Sequence, residues 1–299
     1  MRVLLTGSTG FIGSALASAL RARGDVVVPV VRRSPGAGEV GIDLEHRTLD
    51  ASRLEGGTLE GIDAAAHLAG APIATRWSPK RLEEIRSSRI TAGHLLATAL
   101  RDLASPAGVL VSSSAIGIYG DRGEEVLDEQ SAPGTGTLAD ICRAWEAATG
   151  PATSCGMRVA TVRTGIVIGD GGILKAQLPF FKAGLGARLG SGRQWTSWIS
   201  LADEISIWLR CIDDAAISGP VNAVSPNPVR NAELTAAIAA AVGRTARLAV
   251  PRSLLRVGLG AGPADEMLLA SQRVRPERLE RAGFDFVHGE LAGAIAAAL

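Results

Sequence analysis

The chain has 299 residues, 46% hydrophobic and 20% charged, with a formal net charge of +1, enough for one large α/β domain with or without a smaller lobe. Its acids and bases are interspersed, so it lacks the basic stripe that holds nucleic-acid phosphates, and no uncharged run approaches the ~20 residues of a membrane span. Three cysteines without CxxC spacing and four histidines without ligand spacing disfavour a disulfide framework and a metal site, and the short apolar start is no signal peptide, so the expectation is a soluble cytoplasmic protein.

In chain order, short β-branched runs at residues 3–6, 26–31, 64–68, 108–112, 158–163 and 221–223 predict strands. Amphipathic stretches between them, clearest at 11–23 and 79–102, predict helices. This alternation of nearly all-apolar strands with helices predicts a Rossmann-type α/β fold, a doubly wound parallel sheet covered on both faces. After Arg163 the pattern loosens into Gly-rich and Trp-containing segments and then a Pro-punctuated tail. The expected division is a dinucleotide-binding domain of residues 1–172 and 199–225, and a discontinuous C-terminal substrate lobe of residues 173–198 and 226–299.

The first strand runs into Thr6-Gly7-Ser8-Thr9-Gly10-Phe11-Ile12-Gly13 and then a helix, the setting a dinucleotide fingerprint requires. Gly7 permits the tight turn, Gly10 lets the backbone approach the pyrophosphate, and Gly13 lets helix lie against strand. The free N–H groups of the helix start face the phosphates. At the end of the second strand, where an acid would bond the ribose 2′-hydroxyl of NAD, stand Arg32 and Arg33. Guanidinium groups there suit a 2′-phosphate, so the predicted cofactor is NADP(H), unless both arginines merely solvate a surface turn. The Gly-rich stretch 184–192 ends Gly-Arg-Gln and is no Walker loop.

These features, with His67-Leu68-Ala69-Gly70, Ser112-Ser113-Ser114-Ala115 and Tyr119-Gly120, resemble the extended short-chain dehydrogenase/reductase superfamily. Trp77, Ser88-Arg89-Ile90, Trp145-Glu146, Gly171-Gly172, Trp198-Ile199 and residues 228–231 and 272–276 resemble its atypical epimerase-family (sugar-nucleotide-epimerase-like) branch along the whole chain. The resemblance implies cofactor contacts from Leu68, Ala69 and Gly70, from Arg89 on the long helix, and from Val167 beside the nicotinamide.

The superfamily's proton-transfer pair is a Tyr followed four residues later by a Lys. Here the only tyrosine, Tyr119, is followed at that spacing by Gly123, and no lysine lies between Lys80 and Lys175. By resemblance Cys142 stands at the Tyr position and Glu146 at the Lys position, one helical turn apart. A carboxylate raises a thiol pKa where a lysine lowers that of tyrosine, so the exchange reverses the electrostatics. Ser114 matches the residue that hydrogen-bonds the substrate oxygen, with Ser112 and Ser113 as register alternatives. Tyr119 is a candidate acid if its ring turns inward and a structural aromatic otherwise. Trp77, Gln194 and Trp198, with Phe180, Lys182 and Trp195, are candidates to roof a substrate cleft or to serve as hinge packing.

The expected function is an NADP(H)-dependent oxidoreductase for a small carbonyl, alcohol or sugar-nucleotide-like substrate, with altered proton-transfer groups. Two alternatives stand beside it: a non-catalytic NADP(H)-binding sensor or scaffold, and a nucleotide-sugar epimerase.

Overall fold

A computed structural model describes residues 1–299. Eight strands form the central sheet: β1 (Arg2–Thr6), β2 (Val26–Val31), β3 (Val40–Asp43), β4 (Thr48–Asp50), β5 (Ala64–His67), β6 (Val109–Ala115), β7 (Arg158–Thr164) and β8 (Gly219–Ala223). Their order is β8-β7-β6-β5-β1-β2-β3-β4. All neighbours pair in parallel except β3 with β4. The chain therefore leaves β1 in one direction through β2 and β3, and later runs the other way through β5, β6 and β7. The crevice at this reversal, beyond the carboxyl ends of β1 and β5, is where open α/β sheets take ligands.

Two buried layers explain the strand composition. On one face Leu16 and Leu20 of helix α1 (Phe11–Ala22) and Ile207 and Trp208 of the helix Leu201–Asp213 pack on Val3, Leu5, Val111 and Val162. On the other, Leu96 and Leu100 of helix α2 (Pro79–Arg101) pack on Leu4, Val28, Ala65 and Leu110. Ser78 caps α2 by accepting from Arg81 N at 3.2 Å, and Pro79 occupies its first turn, where its missing N–H costs no bond.

The strands expected at 64–68 and 108–112 are β5 and β6, the latter running on to Ala115. The run at 221–223 is β8, an edge strand of the same sheet beside β7. β3 and β4 were not expected. They are three or four residues long with exposed Asp43, Thr48 and Asp50, too short and polar to show a period.

Beyond the sheet, the helices Gly172–Lys182, Asn231–Ala241 and Leu291–Ala297 bury Leu174, Phe181, Leu234, Ile238 and Ile295 around Ile168 and Trp198. Ile166–Ile168 pairs in parallel with Trp198–Ser200, joining this cluster to the end of β7. No helix is long and apolar enough to cross a membrane.

Candidate functional site

The turn after β1 is fixed by steric limits on its glycines. Gly7 has φ of +72°, and a Cβ there would lie 2.7 Å from Leu68 C. A Cβ on Gly13 would overlap Gly7 O, so the helix meets the turn backbone to backbone. Gly10 is the helix N-cap, and no side chain caps it. The first-turn N–H groups of α1 thus have neither intrahelical nor side-chain partners, the donor set an anion needs. Phe11 turns away from this opening, its ring lying against Gly169, Gly171 and Gly172. Ile12 packs on the core of the α1 face.

Thr6 and His67 hold the opposite lip. The Thr6 hydroxyl accepts from Leu68 N (3.1 Å) and Ala69 N (3.0 Å) and lies 2.8 Å from His67 Nδ1. His67 Nε2 lies 3.1 Å from Arg89 O, which only accepts, so the proton belongs on Nε2 and Nδ1 accepts from the threonine. Burial holds the imidazole pKa down to about 4, so the ring is neutral.

Between these lips lies a cleft of about 620 Å³, lined by Thr6 through Gly10, Leu68 through Ala71, and Arg21, Arg32 and Arg33. Gly7, Ser8, Thr9, Gly10, Arg32, Arg33, Leu68, Ala69 and Gly70 all line it together; of the remaining residues expected at the cofactor, Phe11, Ile12 and Gly13 form the first turn of α1 beside it, and Arg89 and Val167 are not among its lining residues. Arg21, at the far end of α1, joins the two expected arginines; it was missed because it lies 11 residues from Arg32 in sequence. Glu39 also lines the cleft, and Arg33 Nη2 donates to its Oε1 at 2.6 Å. A carboxylate is thus present close to the 2′ end of the cleft, outside the residues 28–34 where the sequence offered none.

A second cavity of about 240 Å³ lies beside the first. Ile116, Leu138, Ile141, Cys142, Trp145, Ile166, Ile168, Leu234 and Ile238 make it predominantly apolar, and Arg89 and Glu266 are its only charged lining residues. Arg89, expected at the cofactor, lines this cavity, its guanidinium lying across Gly70 of the cleft lip and 5.0 Å from the centroid of the Trp145 ring. Val167 pairs with Ile199 and packs on the core, while its neighbours Gly165, Ile166 and Ile168 line the cavity.

The residues expected to carry proton chemistry form one closed network. On helix α3 (Thr137–Ala147), Glu146 takes Arg163 in bidentate fashion, Nε to Oε1 at 2.9 Å and Nη2 to Oε2 at 3.0 Å. Ser114 donates to Glu146 Oε1 at 2.7 Å, Arg163 Nη1 donates to the Tyr119 hydroxyl at 2.9 Å, and Tyr119 donates to Asn222 Oδ1 at 2.7 Å. Tyr119 is fully buried and lines neither cavity, and burial pushes its pKa up to about 12, against the inward-facing acid considered from sequence. Ser114 is buried with its hydroxyl committed to Glu146. Cys142 lines the inner cavity, and burial first, with Glu146 second, pushes its thiol up to about 12. It keeps its proton. Arg163 organises all of this, and the only sequence signal for it was a charge at the far end of a largely apolar strand that also starts with Arg158.

The substrate candidates divide. Trp195 lines the inner cavity, its ring flanked by Arg230 at 3.9 Å and Arg273 at 4.4 Å. Trp198 does not: it is fully buried in the apolar cluster with Ile168 and Leu234, with Nε1 donating to Asn227 O at 2.9 Å. Gln194 is buried too, its amide spent on Leu189 O and Leu268 O. Trp77 packs on Gly262 and donates to Ile73 O at 3.0 Å, standing behind the lining residue Ile73. Trp77, Trp198 and Gln194, considered as a cleft roof or hinge packing, each spend their side-chain N–H groups on backbone carbonyls, whereas Trp195 donates to Glu124.

Residues 3–223 match the NAD dependent epimerase/dehydratase family, and residues 250–298 match a domain of unknown function, DUF1731. The chain belongs to the NAD dependent epimerase/dehydratase family. It is 44% identical over 297 residues to an epimerase family protein of Mycobacterium bovis, covering 98% of this chain and 96% of that one. It is 34% identical over 301 residues to the human epimerase family protein SDR39U1, covering 99% and 98% of the two. A crystal structure of that human protein with NADPH superposes with a TM-score of 0.90 at 32% identity, covering 100% of this chain and 99% of the other. A nucleoside-diphosphate sugar epimerase from Corynebacterium glutamicum gives 0.82 at 36% identity, covering 100% of this chain and 58% of the other.

Proposed function

We propose that the protein is an NADP(H)-dependent oxidoreductase acting on a small, largely apolar carbonyl or alcohol. The observation that carries this reading is the union of a dinucleotide cleft, arginine-rich at its ribose end, with a separate apolar cavity beside it. Gly7 to Gly13 would hold the pyrophosphate on the start of α1, and Arg21, Arg32 and Arg33 would meet the 2′-phosphate. That the human relative was crystallised with NADPH supports the same cofactor here. When bound, the nicotinamide supplies or takes a hydride. The chain's own contribution is to bind and orient both partners and to exclude water from the apolar cavity.

An epimerase acting on a sugar nucleotide has less support, because most of the lining is apolar, the side chains of Ser197, Asn231, Thr235 and Gln272 are hydrogen-bonded within the protein, and Glu146 is bound to Arg163 where the family's lysine would stand. The test is to load the protein with NADPH deuterated on either face of the nicotinamide and incubate it with a metabolite extract. Deuterium recovered in a small molecule is the expected result. Label retained wholly on bound cofactor would overturn net reduction and favour the non-catalytic binding module or a closed epimerase cycle.

A further inference from the structure

The inner cavity holds a cation that has no ion-pair partner. Arg89 Nη1 donates to Ala71 O at 3.0 Å and to Ile85 O at 3.2 Å, and no carboxylate lies within ion-pair distance of the guanidinium. Its Nε and Nη2 make no hydrogen bond, yet they are not among the fully enclosed unpartnered polar atoms, so they reach open space. Arg89 lines the inner cavity together with Trp145, whose ring it faces, and with Ile141 and Cys142. Of the other arginines near the site, Arg163 is paired with Glu146, Arg33 with Glu39 and Arg230 with Glu124, whereas Arg21 and Arg32 line the dinucleotide cleft and Arg273 stacks on Trp195. A guanidinium kept half-buried without a counter-ion carries a desolvation cost that a bound anion would relieve.

The cavity also lacks a proton donor of the family's kind. No tyrosine, lysine or histidine lines it, and the remaining acid, Glu266, accepts Leu138 N–H through Oε2 at 2.8 Å at the start of α3. Arginine does not deprotonate in proteins, so Arg89 can stabilise negative charge and cannot quench it.

Resting on the oxidoreductase reading, we propose that Arg89 is the oxyanion-holding residue of this cavity and that the substrate is a small apolar α,β-unsaturated carbonyl compound. A saturated ketone that accepts hydride becomes a strongly basic alkoxide and needs a proton at once. A conjugated carbonyl accepts hydride at its β carbon, from a reduced nicotinamide. The carbon–carbon double-bond pair shifts toward the carbonyl, whose oxygen becomes a weakly basic enolate. The guanidinium pairs with that oxygen, and solvent water protonates the α carbon once the enolate leaves the cavity.

The anion site is tested without turnover by titrating 4-nitrophenol into the protein saturated with NADP⁺ and following phenolate absorbance against pH. The bound phenol should ionise about one pH unit or more below the free phenol in the wild type, and in Arg89→Met at or above it, since an apolar cavity without the cation disfavours the anion. Arg89→Lys, which keeps charge and packing stem, should fall between them and guards against misfolding of the methionine variant. A phenol that titrates alike in all three proteins, or that does not bind, would overturn the assignment.

Turnover with NADPH then compares 2-cyclohexenone with cyclohexanone. The expected result is at least about 100-fold faster reduction of the enone, and loss of about 100-fold in kcat in Arg89→Met with NADPH affinity largely kept. Equal reduction of both ketones, indifferent to Arg89, would sink the substrate class and leave an oxidoreductase. Reduction of neither, with phenolate bound and deuterium never leaving the cofactor for any metabolite, would sink the oxidoreductase reading and the substrate class together while leaving the anion site standing.

Discussion

The dinucleotide cleft and the inner cavity are neighbours built by different means. The cleft is made of backbone: a left-handed Gly7, a helix start without a side-chain cap, and a lip fixed by Thr6 and a neutral His67. The cavity is made of side chains from α2, α3, β6 and the lobe, and its electrostatics are set by which buried charge finds which partner. A backbone site tolerates almost no addition of atoms, whereas a side-chain site tolerates changes of size but few changes of charge.

The largest effect should come from the glycines. In Gly13→Val a branched side chain would have to occupy the space of Gly7 O. Loss of NADPH binding by more than about 100-fold, read by calorimetry, is expected together with a lower Tm. Near-normal binding would mean that the turn can open, and the contrast between the two regions would weaken. In the side-chain network behind the cavity the matching change is one of charge. Glu146→Ala leaves the Arg163 guanidinium, whose side chain is 8% exposed, without its carboxylate. Denaturant unfolding should show a loss of about 3 kcal/mol. Glu146→Gln, which keeps shape and removes charge, should lose less.

This difference also explains what the sequence could tell. The Gly7 to Gly13 spacing, the Arg32-Arg33 pair and the Leu68 to Gly70 lip are local in the chain, and local sterics dictate them. The placements of Tyr119, Trp198, Gln194 and Arg89 depend on residues such as Asn222, Asn227, Leu268 and Gly70 that are distant in sequence, so no spacing rule reaches them. The absence of the Tyr/Lys pair was legible by counting. Its consequence, that Glu146 is neutralised by Arg163 rather than free to act on Cys142 alone, was not. Arg163 sits near the end of β7, a strand that also begins with Arg158, and only the register of β7 beside β6 brings it to Glu146 and Ser114.

A pH effect belongs to the cavity side as well. Glu204 is fully buried, its Oε1 accepts from Thr164 and Trp208, and its Oε2 has no partner. Burial raises its pKa to about 7. The folded state therefore holds this proton more tightly than the unfolded chain does. Stability from this group is full below the unfolded glutamate pKa of about 4.3, falls as pH rises to about 7, and does not fall further above it. Glu204→Gln should remove that decline and be the more stable protein at pH 8, by on the order of 2 kcal/mol. Parallel Tm-against-pH curves for the two proteins would refute the assignment.

The smallest and most informative change is back in the cleft, at Glu39. Its carboxylate pairs with Arg33 at 2.6 Å, and the side chain of Arg33 is 64% exposed, so the pair is solvent-screened and contributes little to stability. Its weight falls on cofactor choice. A 2′-phosphate must compete with Glu39 for the guanidinium and also faces the carboxylate's own charge, whereas a free 2′-hydroxyl finds in Glu39 the acceptor that residues 28–34 do not offer. Glu39→Gln should therefore tighten NADPH and weaken NADH, changing the ratio of their dissociation constants by about tenfold, close to 1.4 kcal/mol, with Tm nearly unchanged. Arg32→Ala should move the ratio the opposite way. If Glu39→Gln left the ratio untouched while Arg32→Ala shifted it, the 2′ group would be held by Arg32 and Arg21, and Glu39 would only position the loop through Gly36 N.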